Sequence, residues 1–269
     1  MNDRLAHAPL TLQSIKPTTA LQRIATCVLV LDEVDSTNTE LRRRAAGLPD
    51  GAVVVAEYQT HGRGRRGRHW LAPRGASVLL SVMLKEATGS PVACRATILG
   101  ALAACEAIEQ ASVCKPAVRW PNDVTIAGRK ISGVLVETTP CDDGQAVIIG
   151  IGINCLQQAG HFPPALADRA TSLEIESPVP IDRAAVTRAL LARLDGRVAE
   201  LAQDAAAGQR LLKDWLARCE DLGTRVTLQH DRETLTGTVV DISDDGDLLL
   251  QLDQGGRRFF ASSTTTRLP

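Results

Sequence analysis

Apolar residues come along this chain in two rhythms. Short unbroken runs at Cys27–Leu31, Ala52–Glu57, Ser77–Leu84, Val118–Trp120, Val124–Ile126, Ile131–Thr138 and Gln145–Asn154 read as buried strands. Ala127-Gly128 supplies a tight turn between two of them. The other rhythm is helical. Val92 to Ala111 is an alanine-rich stretch that predicts a buried helix. Asp182 predicts the N-cap of a second, whose Val186, Leu190, Leu194, Val198 and Leu201 share one face. A third covers roughly Gln209 to Cys219. Thr37-x-x-Glu40 has the form of a capping box and opens a helix through Ala46, which Gly47 and Pro49 end. Residues 155–181, with Pro163, Pro164, Pro178 and Pro180, predict irregular chain, and residues 1–20 a loose polar arm.

Beyond Thr224 the pattern changes to short β-rich runs separated by turn signals, which suggests a small barrel. The expected layout is an arm over 1–22, a catalytic domain over 23–221 and a β module over 222–269, of α+β class overall.

Composition narrows the function. With 44% apolar and 23% charged residues and a net charge of −1, no global field draws the chain to nucleic acid or membrane. Any basic function must come from a local cluster. No apolar run approaches the roughly 20 residues of a membrane span, and Met1 to Ala20 hold no signal-peptide core. The expectation is a cytoplasmic protein with no membrane partner. The seven cysteines form no C-x-x-C pair, which reads as reduced thiols, and the histidines form no metal-ligand pattern.

The local cluster is Gly62-Arg63-Gly64-Arg65-Arg66-Gly67-Arg68, followed by Trp70. Glycines let backbone N–H groups turn toward an anion, and arginines add forks that match phosphate oxygens. No Walker pattern occurs. Nucleotide phosphate and RNA backbone both suit such a loop, as does plain solvation. Four other segments carry polar groups. Arg119-Trp120-Pro121-Asn122-Asp123 is a turn whose amide and carboxylate could orient a phosphate or an amine. Lys130 opens an apolar strand, either snorkelling or reaching a carboxylate or phosphate. In Gly150-Ile151-Gly152-Ile153-Asn154, the alternate glycines permit close approach of a ligand or mark a bulge. Asp35-Ser36-Thr37-Asn38 could cap a helix, bind a small polar ligand, or both.

The order and spacing of these segments resemble the biotin–protein ligase family, closely over residues 28–155 and in kind over the β-rich tail. The resemblance implies a mixed sheet flanked by helices, akin to class II aminoacyl-tRNA synthetases, plus an SH3-like barrel. It implies that ATP, with Mg²⁺ as its counter-ion, activates biotin to biotinyl-5′-AMP, and that biotin passes to a lysine of a biotin carboxyl carrier protein. Ser36, Thr37, Asn38, Gln59, Arg63, Gly64, Arg65, Lys130 and Gly133 would then face biotin. Arg63, Arg65, Arg68, Trp70, Asn122, Lys130 and Asn154 would serve ATP, with Lys130, Arg65 and Asp123 as the catalytic groups. Asp123 would orient the incoming amine or take its proton.

The sequence departs from the family pattern in three places. Arg119 stands where lysine is usual, the stretch from Ala261 to Leu268 is hydroxyl-rich, and about two dozen residues precede the first catalytic strand. The last predicts no winged-helix domain and no DNA partner. Lipoate–protein ligase, which shares the fold, fits less well because the Arg/Gly loop followed by Trp70 belongs to the biotin branch. An RNA-binding module is disfavoured by the net charge and by 3% aromatics, which leave few stacking platforms.

Overall fold

The computed structural model describes residues 8–141, 144–204 and 206–268. Its catalytic part is a seven-stranded mixed sheet of β1 (Val28–Val34), β2 (Ala52–Gln59), β3 (Ser77–Glu86), β4 (Ala117–Arg119), β5 (Asp123–Ile126), β6 (Arg129–Cys141) and β7 (Gly144–Asn154), ordered β1-β2-β3-β7-β6-β5-β4. Only β1 and β2 run parallel; the other pairs are antiparallel. Among the described residues, five α-helices accompany the strands: α1 (Thr37–Arg44), α2 (Pro91–Ala111), α3 (Leu173–Glu176), α4 (Arg183–Gln203) and α5 (Ala207–Arg218).

The two faces of the sheet have different partners. On one, Leu99, Leu102 and Ile108 of α2 and Val186, Leu190 and Leu194 of α4 join Val82, Val134 and Ile149 in the main core. A Cβ on Gly100 would lie 2.8 Å from Val134 Cγ1, so this glycine lets α2 approach the sheet closely. The helix is long and apolar enough, by length and composition, to cross a membrane, but it is mostly buried within this core. On the other face, Leu41 of α1 and Ala45 just after it pack on Val54, Met83 and Ile148 in a smaller core. That helix covers only part of its face. The uncovered remainder, over β6 and β7, is where the polar motifs gather.

Three expectations change. The first turn of α1 is no capping box on Thr37: the N-cap is Ser36, without a side-chain cap bond, and Glu40 pairs with Arg43 and Arg44. Thr37 is turned to Gln59 instead, because both its N–H and its hydroxyl find the same amide oxygen. The arm is not loose over residues 8–22. Leu10 and Ile15 are buried, and Leu10 N–H donates to Glu57, itself paired with the buried Arg183 at 2.8 Å. Asp195 accepts the N–H groups of Gln22, Arg23 and Ile24, each at 2.8 Å.

The β module comprises β8 (Arg225–His230), β9 (Glu233–Ile242), β10 (Leu248–Leu252), β11 (Arg257–Phe260) and β12 (Thr265–Arg267), all antiparallel. Its order, β11-β10-β9-β8-β12, does not close between β11 and β12, so the expected barrel is open there while the module remains compatible with the expected fold. The chain between β11 and β12 is spent on a turn whose Ser262 and Ser263 carbonyls accept from Arg65 and Arg66. The module is tied to the catalytic sheet elsewhere too. Trp120 Nε1–H donates to Gly246 O at 2.9 Å, and Asp221 accepts Trp120 N–H and pairs with Arg267.

Candidate active site

The site is built on two rows of the sheet. Register places Ser81, Gly150 and Leu135 in one row and Leu79, Gly152 and Gly133 in the next. The glycines are spaces for larger neighbours. A Cβ on Gly150 would lie 2.2 Å from Asn38 Oδ1, and one on Gly152 would lie 2.6 Å from Trp70 Cε2. Gly133 is hemmed in by Lys130 and Trp70, at 3.0 and 3.1 Å. Close approach, and not a bulge, is therefore the reason for the alternate glycines: β7 is continuous through them.

At one end of the cleft sits a polar group on α1 and β2. Gln59 Oε1 accepts the N–H and hydroxyl of Thr37 at 2.8 and 3.1 Å. That fixes the amide, and among the described residues no acceptor meets its Nε2. Ser81 Oγ lies 2.7 Å from Thr37 Oγ1 and 2.6 Å from Asn38 Oδ1. Asn38 Nδ2 donates to Leu135 O and Glu137. Ser36, buried but free of any capping bond, adds an uncommitted hydroxyl.

The Arg/Gly segment forms the wall. It is a hairpin closed by Trp70 N–H to Gly62 O at 2.9 Å and Gly64 N–H to Arg68 O at 2.7 Å, with Arg66 and Gly67 at positive φ in the turn. Its four arginines are not equivalent. Arg63 is neutralised by Glu137, whereas Arg65, Arg66 and Arg68 make no ion pair among the described residues. Arg65 reaches Asn122 Oδ1 at 3.3 Å and the Ser262 carbonyl, both neutral acceptors. Burial, and then the charge on Arg66, push its guanidinium below the usual arginine value, with Asp123 opposing. A half-buried cation without a carboxylate partner favours a bound anion.

At the far end, Lys130 pairs with Asp123 at 2.5 Å, and its Nζ lies 5.7 Å from the centre of the Trp70 ring. Asn122 is fixed by donating to Val134 O at 2.7 Å. Trp70 Nε1 is buried and unpartnered. The cleft joins Ser36, Thr37, Asn38, Gln59, Arg63, Trp70 and Gly133 with Leu79, Leu135, Gly150 and Gly152. Its cavity volume is about 30 Å³.

Half of the sequence candidates stand outside the lining itself: Arg65, Asn122, Asp123 and Lys130 gather beyond its Trp70 and Gly133 end, and Gly64, Arg68 and Asn154 lie elsewhere. Asn154 does not line the cleft: its amide donates to Thr171 O at 2.9 Å and accepts from Gln157 at 2.8 Å. Arg68 and Gly64 shape the hairpin from outside the lining. Glu137 was not singled out from the sequence, because a glutamate at the end of an apolar strand reads as solvated. Arg119, the departure from lysine, forks between Glu220 and Gly128 O, the latter at 2.6 Å, which ties β4 to the end of α5.

Comparison with known proteins agrees with this arrangement. Residues 30–154 match the model of the Biotin/lipoate A/B protein ligase family, and residues 221–264 that of the Biotin protein ligase C terminal domain. The chain is 34% identical to the Bifunctional ligase/repressor BirA of Bacillus subtilis, covering 87% of this chain and 71% of that one. It is 33% identical to the Biotin--[acetyl-CoA-carboxylase] ligase of Paracoccus denitrificans, over 82% and 93% respectively. Its fold superimposes on the biotin protein ligase from Aquifex aeolicus in complex with biotin and ATP with a TM-score of 0.76 at 28% identity, covering 90% of this chain and 99% of that one. With both models matched in order and relatives above 30% identity over more than two thirds of their own length, the chain belongs to the biotin–protein ligase family.

Proposed function

We propose that this cleft activates biotin with ATP and that the chain transfers the biotinyl group to a lysine of a biotin carboxyl carrier protein. The observation that carries the reading is the gradient along the cleft. Hydroxyls and amides from Ser36, Thr37, Asn38 and Gln59 stand at one end, an apolar glycine-floored channel lies in the middle, and Lys130 with the unpaired Arg65 stands at the other. Biotin has the same gradient: a ureido ring, an apolar valeryl chain and a carboxylate.

In the first step the biotin carboxylate attacks the α-phosphorus of ATP and pyrophosphate leaves. A carboxylate is already a nucleophile, so no base is required. The obstacle is repulsion between anions, which Lys130 and the unpaired Arg65 offset with positive charge at that end of the cleft. Mg²⁺ arrives on the ATP phosphates as part of that substrate. Trp70 offers its ring toward the adenine side, and Asn122 holds Arg65. As Lys130 turns from Asp123 to the phosphate, Asp123 is released.

In the second step the acceptor amine attacks the mixed anhydride and AMP leaves. Lysine has an ordinary pKa near ~10.4 and must lose a proton to react. Asp123, within 2.5 Å of one ammonium already, is placed to hold another and take that proton. Action in the cytoplasm, where carboxylases and ATP meet, is part of the same proposal. The test is incubation with biotin, ATP and the biotinyl domain of a carboxylase, followed by intact-mass analysis and peptide mapping. One biotinyl group on one lysine is expected. An unmodified acceptor, or a lipoylated one when lipoate competes, overturns the reading.

A further inference from the structure

Glu137 is the most heavily bonded side chain around the cleft. Its two oxygens meet Arg63 as a fork, Nη1 to Oε2 and Nη2 to Oε1, both at 2.9 Å. Oε2 also accepts Asn38 Nδ2–H at 3.0 Å, and Oε1 lies 3.7 Å from Arg42 Nη1. Its side chain is 18% exposed. A single carboxylate thus joins the catalytic hairpin, through Arg63, to the first turns of α1, through Asn38 and Arg42. It projects from β6 on the face that carries Gly133 and Leu135.

We infer that Glu137 is a positioning residue that anchors Arg63 in the cleft wall and so sets the affinity for biotin. The inference deepens the proposed function and rests on it. Arg63 is the only arginine of the hairpin with a carboxylate partner among the described residues, so it alone is held in place by charge. A guanidinium has five donors, and the fork with Glu137 uses two of them. Three remain for a ligand, so Arg63 serves Glu137 and biotin together and need not choose. Glu137 stays put because β6 fixes its backbone and α1 fixes its oxygens. A planar fork of this kind sets orientation as well as distance. The same carboxylate sets which way the Asn38 amide faces, with Nδ2 toward Glu137 and Oδ1 toward Ser81.

Glu137→Gln keeps the shape and the Asn38 bond but removes the charge. Biotin KM in pyrophosphate exchange should rise on the order of tenfold, as for loss of a charge-assisted bond, with kcat within about twofold. Trypsin should also cut the free protein between residues 63 and 68 about tenfold faster, since the hairpin has lost its anchor. The second readout needs no biotin chemistry, so failure of the proposed function and failure of the anchor are told apart. In an Arg63→Met background Glu137→Gln should change biotin KM no further. A general packing role would give the same loss in both backgrounds. Equal losses, an unchanged KM with unchanged tryptic cleavage, or a KM that falls because Glu137 competes with biotin for Arg63, would each overturn the inference. A thermal melt of every variant confirms that the comparison is among folded proteins.

Discussion

Gly152→Ala is the smallest change that should disable the cleft while sparing the fold. The new methyl would stand 2.6 Å from Trp70 Cε2 and 2.7 Å from Cζ2, where ordinary contact begins at 3.4 Å. The indole must retreat by about 0.8 Å, or the backbone of β7 must give. β7 is hydrogen-bonded on both sides, to β3 and β6, so the ring moves. A misplacement near 1 Å at a reacting centre costs on the order of 10²-fold in rate. Trp70 also carries Lys130 over its face, so both the proposed nucleotide wall and the proposed catalytic cation shift. Adenylation should fall roughly 10²-fold, read as biotin-dependent pyrophosphate exchange. Stability should drop by no more than about 1–3 kcal/mol, the usual cost of an overpacked methyl. Gly196→Ala is the control. Nothing lies within 4 Å of a Cβ there, on α4, so it should leave activity intact and stabilise by about 0.5–1 kcal/mol. A Gly152→Ala enzyme that exchanges at the wild-type rate would show that the indole does not form the working wall.

Three further outcomes are expected. Lys130→Ala should lower the adenylation rate by on the order of 10²-fold or more with an unchanged melting curve, because the side chain is partly exposed at a strand end; near-normal exchange would leave Lys130 only its bridge to Asp123. Arg65→Gly should still make the adenylate but lose it, since the contacts to Asn122 and Ser262 vanish and the hairpin is no longer held against the β module; bystander proteins mixed with the variant, ATP and biotin should become labelled above the wild-type background. Arg183→Met should cost roughly 3–5 kcal/mol in a urea titration, because it strands the buried Glu57 carboxylate that also holds Leu10, and a loss below about 1 kcal/mol would mean that water reaches the site.

The sequence carried the catalytic sheet because its central strands β2, β3 and β7 are buried along most of their length and so read as unbroken apolar runs. It carried the chemistry of the cleft because phosphate and carboxylate recognition needs arginine, lysine and glycine in quantity, and these cluster in the chain. What it did not carry depends on which side chains meet across the fold. Thr37 and Glu40 have the spacing of a capping box, yet Gln59, more than twenty residues on, draws Thr37 away. Asn154 ends a glycine-rich strand beside the cleft, but Gln157 and the more distant Thr171 satisfy its amide. Polar composition made residues 8–22 look loose, while Leu10 and Ile15 are buried in the core and Glu57 and Asp195 hold the backbone. The β module has the alternation of a barrel, but whether its edge strands pair is a long-range matter that alternation does not carry, and β11 and β12 do not pair. Glu137 shows the limit most clearly: its partners Arg63, Asn38 and Arg42 come from two other elements, and only the register of β6 brings them together.

The most direct test of the account is pyrophosphate exchange into ATP by the purified chain, run without a vitamin, with biotin and with lipoate. Activation of a carboxylate at the Lys130 end of a cleft shaped for a ureido ring predicts label in ATP only with biotin, and its loss in Gly152→Ala and Lys130→Ala. Exchange that ignores biotin, or that lipoate supports equally well, would contradict it.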